Sequence, residues 1–150
     1  YNNEILNNLE LPKVKEIQSS FLKNNKKLQK IEMLQLLRVF DEFIMENKII
    51  EEVNLPKLKQ VGPFFLSNNQ KLKKLILNEI TWISHSFLKQ NESLEYIYAP
   101  NLTFISFHFL YNSPSVKLYA PLLSNCSLHE NIVFVNKEQD LYESKNRLCH

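Results

Sequence analysis

Apolar residues recur along this chain at a spacing of 22 positions. The stretch PKVKEIQSSFLKNNKKLQKIEM (12–33) aligns without a gap on PKLKQVGPFFLSNNQKLKKLIL (56–77), an offset of 44 positions and hence of two units. Residues 34–55 and 78–99 supply two more units of the same length; a fifth, 100–120, is one residue shorter. A sixth opens at Pro121 and loses the pattern near Val135. The shared pattern is P-x-L-x-x-I-x-x-x-F-L-x-x-N-x-x-L-x-x-I-x-L. One of its columns holds Phe21, Phe43, Phe65, Phe87 and Phe109; another holds Ile31, Val53, Leu75, Ile97 and Leu118. Subtracting 22 from the first unit puts Leu6, Leu9 and Leu11 in the last three columns, so the sequence opens in mid-repeat and an upstream segment is expected.

A unit this short cannot bury its own apolar face, so each coil has to lay its columns on those of the next, which is a solenoid. The L-x-x-I-x-L segment ends in inside/outside alternation and predicts a short strand; strands one coil apart form a parallel sheet. Pro12, Pro56, Pro100 and Pro121 follow directly, where a strand must end because Pro has no N–H to donate. The F-L-x-x-N stretch, short and polar-flanked, predicts one helical or 3₁₀ turn on the opposite side. Asn25, Asn47, Asn69 and Asn91, followed by Ser113, form a polar column just before the strand. Such a column is either a ligand ladder or a set of side chains bonded to turn backbone, and the habits of Asn and Ser favour the second.

These units resemble leucine-rich repeats, and most closely the BspA-like subfamily, whose repeats read N-x-x-L-x-x-I-x-L-P followed by L-x-x-I-x-x-x-x-F. Here the motif is carried by Asn69, Leu72, Leu75 and Leu77, and across the next boundary by Asn91, Leu94, Ile97, Ala99, Pro100, Leu102 and Ile105. The likeness covers about residues 3–135. Family members usually carry Ile-Gly before the aromatic, whereas only Val61-Gly62 keeps the Gly here. The resemblance implies a curved α/β-type repeat solenoid of mostly short parallel strands, used for protein–protein or cell-surface recognition in a secreted or surface-exposed setting. It implies no enzymatic activity. The domain plan that follows is one solenoid over 1–135, about five and a half coils, with residues 136–150 as a C-terminal cap or tail.

Strand alternation places the residues flanking each central apolar position on the outer face of the sheet. In the first coils these are Asn8 and Glu10, Lys30 and Glu32, Glu52 and Asn54, all polar. In the last coils they are Lys74 and Ile76, Tyr96 and Tyr98, Lys117 and Tyr119. Tyrosines amid an otherwise polar surface are the composition of interaction hot spots, which makes these six residues the candidate ligand-binding patch. Two plainer explanations stand beside it: strands favour Tyr and Ile intrinsically, or neighbouring polypeptide covers them.

Composition narrows the remaining chemistry. Eighteen basic and sixteen acidic side chains give a net charge of +2, far from a nucleic-acid footprint. A single glycine, Gly62, excludes the phosphate-binding loops that need two or more, so no nucleotide cofactor is expected. The uncharged run from Tyr96 to Val116 contains Pro100, Asn101, His108 and Pro114 and keeps the repeat period, which argues against a membrane span. No basic n-region or apolar h-region opens the chain, so no signal peptide is visible. Asn91, Asn101 and Asn125 begin N-x-S/T sequons, which carry weight only in a secretory eukaryote.

His108 and His129 share a column with Ser86, and His85 lies beside it, but the one carboxylate of that column, Glu42, is three coils from His108, so no metal site is expected. Cys126 falls in an apolar core column, and Asp41 lies two coils from His85, so no catalytic set assembles. Past Val135, Asn136 as an N-cap with Gln139 three residues on predicts a short terminal helix shielding the last coil, against the alternative of a frayed tail. The sequence therefore predicts a non-enzymatic module that recognises a protein through its strand face. The alternatives are a substrate-selecting segment of a larger secreted enzyme or effector, and a structural spacer.

Overall fold

The computed structural model describes residues 3–124, 132–135 and 137–141. Cys126, His129 and Asn136, to which the sequence assigned roles, lie outside the described residues. The described residues form a parallel β-solenoid of about five turns with almost no helix among them. Up to residue 120 each complete coil contributes two short strands on different sides. The longer ones are β1 (Asn8–Glu10), β3 (Lys30–Glu32), β5 (Glu52–Asn54), β7 (Lys74–Ile76), β9 (Tyr96–Tyr98), β11 (Val116–Tyr119) and β12 (Ile132–Phe134). Between them lie the two-residue strands β2 (Glu16–Ile17), β4 (Arg38–Val39), β6 (Gln60–Val61), β8 (Trp82–Ile83) and β10 (Phe104–Ile105).

The register is the sequence period made physical: Leu9 pairs with Ile31, Ile31 with Val53, Leu75 with Ile97 and Ile97 with Leu118. Both ladders are interrupted once, the longer between β5 and β7 and the shorter between β6 and β8. Inside, the phenylalanine column stacks as a continuous spine, with ring centroids 6.2, 5.6, 4.9 and 5.7 Å apart from Phe21 to Phe109. Phe43, Phe65 and Phe87 are fully buried, each removing one of the largest apolar side chains from water.

Proline's position has a sharper cause than its missing donor. The amides of Val14, Leu58, Leu102 and Leu123 bond the carbonyls of Leu11, Leu55, Ala99 and Ala120, closing four-residue turns. Pro12, Pro56, Pro100 and Pro121 occupy the second position of these turns, where a fixed φ near −65° is wanted. Asparagine closes the other corner. The buried Asn47, Asn69 and Asn91 each accept a bond from the amide of the preceding coil's residue in the same column, at 2.8, 3.0 and 3.2 Å. Their amide groups donate to Leu22, Ile44 and Leu66 carbonyls at 2.7, 2.8 and 3.0 Å. Ser113 continues the column, accepting from Asn91 N–H and donating to the Leu88 carbonyl. The column bonds backbone, as its residue types favoured.

The F-L-x-x-N stretch departs from the expected helical turn. In each coil three alternate residues take positive φ: Ser20, Leu22 and Asn24, then Glu42, Ile44 and Glu46, and so on to His108, Leu110 and Asn112. Successive residues of opposite φ cannot wind a helix; their N–H groups instead reach sideways. Ile44, Leu66, Leu88 and Leu110 donate back to the phenylalanine carbonyl of the previous coil, while Asn24, Glu46, Asn68 and Gln90 donate forward to the next. Left-handed φ costs a non-glycine residue about 1–2 kcal/mol, which inter-coil bonds and the burial of Ile44, Leu66, Leu88 and Leu110 offset.

Gly62 has no positive φ; its value is space. A Cβ there would stand 2.7 Å from the Phe40 carbonyl carbon and 2.8 Å from the Asp41 nitrogen. The coil above presses backbone on backbone, which only glycine permits.

Candidate functional site

The outer face of the long-strand ladder carries the residues singled out in the sequence. Leu75, Ile97 and Leu118 point into the core, so their neighbours point out. Register sets Lys74 beside Tyr96 and Tyr96 beside Lys117, and likewise Ile76 beside Tyr98 and Tyr98 beside Tyr119. All six residues therefore share one surface in two parallel columns. The Tyr98 and Tyr119 rings stack, 5.3 Å apart and 9° from parallel. Lys74 and Ile76 are exposed, and Tyr96, Tyr98, Lys117 and Tyr119 half-buried.

In the first coils the same two columns are polar and paired with themselves. Lys30 Nζ lies 3.1 Å from Glu52 Oε2, and Asn54 donates to Glu32 at 3.2 Å. The hydrogen bond and charge of Glu52 raise the Lys30 pKa above its ordinary value. A shallow concavity of about 410 Å³ lies where the polar and aromatic parts meet, lined by Lys30, Glu52, Asn54, Lys74 and Ile76 among others.

A second aromatic surface, on the short-strand flank, was not foreseen. Trp82 and Phe104 stack at 6.5 Å and 7°, and His85 and Phe107 at 5.4 Å and 5°. Phe64 meets His85 edge-on, His108 packs between Phe107 and Tyr111, and Lys89 sits 5.3 Å over the Tyr111 ring. Trp82, Phe104, Phe107 and Tyr111 are between 41% and 63% exposed. The signal was present in the 22-residue spacing of Trp82 to Phe104, His85 to Phe107 and Lys89 to Tyr111, but the consensus holds no aromatic there.

Among the described residues, no group of three or more His, Cys, Asp or Glu side chains is placed so that it could hold a metal ion. His85 spends its ring on aromatic neighbours and a 3.4 Å contact with Ser86. The Glu42 pKa falls below its ordinary value because Ser20 and then Lys23 hydrogen-bond to it, at 2.9 and 3.3 Å. That is a partly exposed contact between neighbouring coils. No helix among the described residues is long and apolar enough to cross a membrane.

Neither the curated proteins nor the solved structures contain a match to the chain. The BspA type leucine rich repeat region does match, in six copies over residues 1–117. Such repeats form modules generally used for protein interaction, on a scaffold that is typically non-catalytic. With that match spanning most of the chain, and a solenoid of repeating coils with it, the chain belongs to the BspA-type leucine-rich repeat family.

Proposed function

We propose that the chain is a non-enzymatic recognition module that binds a protein ligand through the outer face of its long strands, at Lys74, Ile76, Tyr96, Tyr98, Lys117 and Tyr119. The observation that carries the reading is the continuous column Ile76–Tyr98–Tyr119, flanked by Lys74 and Lys117. Large amphipathic rings on a rigid parallel sheet offer contact area at low entropic cost, and the lysines give it charge preference. The strand scaffold fixes the rings before a ligand arrives, which lowers the ordering cost of binding.

The test is direct titration of a partner captured by the purified chain, repeated with a Tyr96→Ala/Tyr98→Ala/Tyr119→Ala variant whose fold is checked by circular dichroism. A loss of about 2 kcal/mol or more in affinity is expected for hot-spot tyrosines. Unchanged affinity in the folded variant removes the strand face from the account. A parallel Trp82→Ala/Phe107→Ala variant that loses the partner, while the tyrosine variant keeps it, moves the site to the other flank.

A further inference from the structure

Followed along one column, the outer face changes from open to covered. Ile76 is 43% exposed, Tyr98 and Tyr119 are half-buried, and Val135 is only 2% exposed. Val135 belongs to this column: Leu118 pairs with Phe134, so the next residues, Tyr119 and Val135, stand side by side on the outer face. The Val135 amide also bonds the Leu118 carbonyl at 3.1 Å, continuing the parallel ladder. Val135 is buried, yet it takes no part in the contiguous apolar core that includes Phe134. An outward residue is shut off from water only by chain lying over it.

The described segment just downstream lies against the same sheet. A 3₁₀ helix, Glu138–Leu141, packs against β9 and β11, the strands that carry Tyr96, Tyr98, Lys117 and Tyr119. Strand β9 is interior to its sheet, between β7 and β11, so it has no free edge to receive the helix. The segment has doubled back from β12 toward the middle of the ladder.

We propose that residues 137–141 are an intrachain occupant of the recognition face, so that a ligand reaching Tyr98 and Tyr119 must displace them. This rests on the strand-face reading above and adds a competitor to it. A site open only a fraction of the time binds with its intrinsic affinity reduced by that fraction; a segment closed nine-tenths of the time weakens a ligand about tenfold. A short tether holds its segment at an effective concentration of order millimolar, so a contact that stays closed requires a dissociation constant of about a millimolar or tighter.

The experiment compares the full chain with one in which residues 137–150 are replaced by a Gly/Ser stretch of equal length, and with a Gln139→Pro point variant. A dye-labelled peptide of residues 136–150 is titrated into each. It should bind the Gly/Ser chain with a dissociation constant of about a millimolar or below, and the intact chain at least about tenfold more weakly. Tyrosine nitration, mapped by mass spectrometry with the exposed Tyr111 as internal reference, should rise about threefold or more at Tyr98 and Tyr119 in the Gly/Ser chain and in Gln139→Pro. No peptide binding at several millimolar, equal binding to both chains, or an unchanged nitration ratio in the folded point variant overturns the proposal. These readouts need no external partner. Should the triple tyrosine variant leave a partner's affinity intact while the peptide still binds, the strand-face reading falls and the docked segment stands.

Discussion

One column of the short-strand flank holds an ion pair at one end of the solenoid and stacked rings at the other. Glu16 and Arg38 meet at 3.1 Å on β2 and β4; 44 residues beyond Arg38, Trp82 and then Phe104 occupy the same column on β8 and β10. The long-strand face repeats the contrast, with Lys30 against Glu52 in early coils and Tyr98 against Tyr119 in late ones. Inside, by contrast, Phe43, Phe65 and Phe87 do not change. Backbone and core thus tolerate either kind of outer column. Whatever distinguishes the two halves is written on the outside, where it costs the fold little, and that is the place to look for recognition.

The largest expected effect breaks the invariant part. Phe65→Ala removes a fully buried ring from between Phe43 and Phe87 and should cost about 3–5 kcal/mol in denaturant unfolding. Phe21→Ala should cost clearly less, because Phe21 is half-buried and its stacking to Phe43 is the loosest of the spine at 6.2 Å. Equal losses at the two positions would mean that the spine does not work by local stacking.

Asn69→Ala comes next. The Asn69 side chain accepts from the Asn47 amide and donates to the Ile44 carbonyl, so its loss orphans two buried backbone groups, at about 2–4 kcal/mol in the same assay. Asn69→Asp keeps the acceptor, loses the donor and buries a charge, so it should be no milder.

Sharpening the comparison itself takes a column exchange. Trp82→Glu with Phe104→Arg writes the Glu16–Arg38 pattern into the late coils. Exposed cross-strand pairs of either kind contribute less than about 1 kcal/mol, so thermal unfolding should move little. A large destabilisation would show that the late coils depend on their exposed rings, and the division between constant core and free surface would fail.

That division also explains what could be read from residues alone. Inward columns were legible because a core position admits only apolar side chains of fitting volume, so Phe43 and Phe65 announce their stacking at a distance of 22. The asparagine column was legible because a buried amide repeated coil after coil has backbone to satisfy. Hidden from the sequence was the left-handed φ of Ile44 and its counterparts. Local preference forbids it to a β-branched residue, and only bonds to the neighbouring coil, such as Ile44 N–H to the Phe21 carbonyl, impose it. The strand-face tyrosines were predicted to lie on one surface, and the register brings them there. The Trp82–Phe104 and His85–Phe107 stacks went unseen because no repeat constraint acts on outward positions; the approach of Glu138–Leu141 to β9 was hidden for a related reason, since the repeat pattern ends before it.

The smallest effect tests whether early outer columns carry any stability of their own. Glu42 accepts from Ser20 and Lys23, the contacts that hold its pKa below the ordinary carboxylate value. A depressed folded-state pKa contributes stability that is fully present above the unfolded carboxylate value, about 4.3, and is lost as pH falls through the lower folded value. Glu42→Gln should therefore melt slightly below the parent near pH 7, by a few tenths of a kcal/mol given the partial exposure of both partners. The gap should narrow as both proteins are taken to acid and close once the pH lies below the lowered folded value, where the parent's carboxylate is protonated and resembles the amide. High salt at pH 7 should shrink the Lys23 part of the gap and leave the Ser20 hydrogen bond. A gap that instead stays constant from pH 7 to 3 would assign the difference to side-chain shape alone, and the charge of this early outer contact would then contribute nothing to the fold.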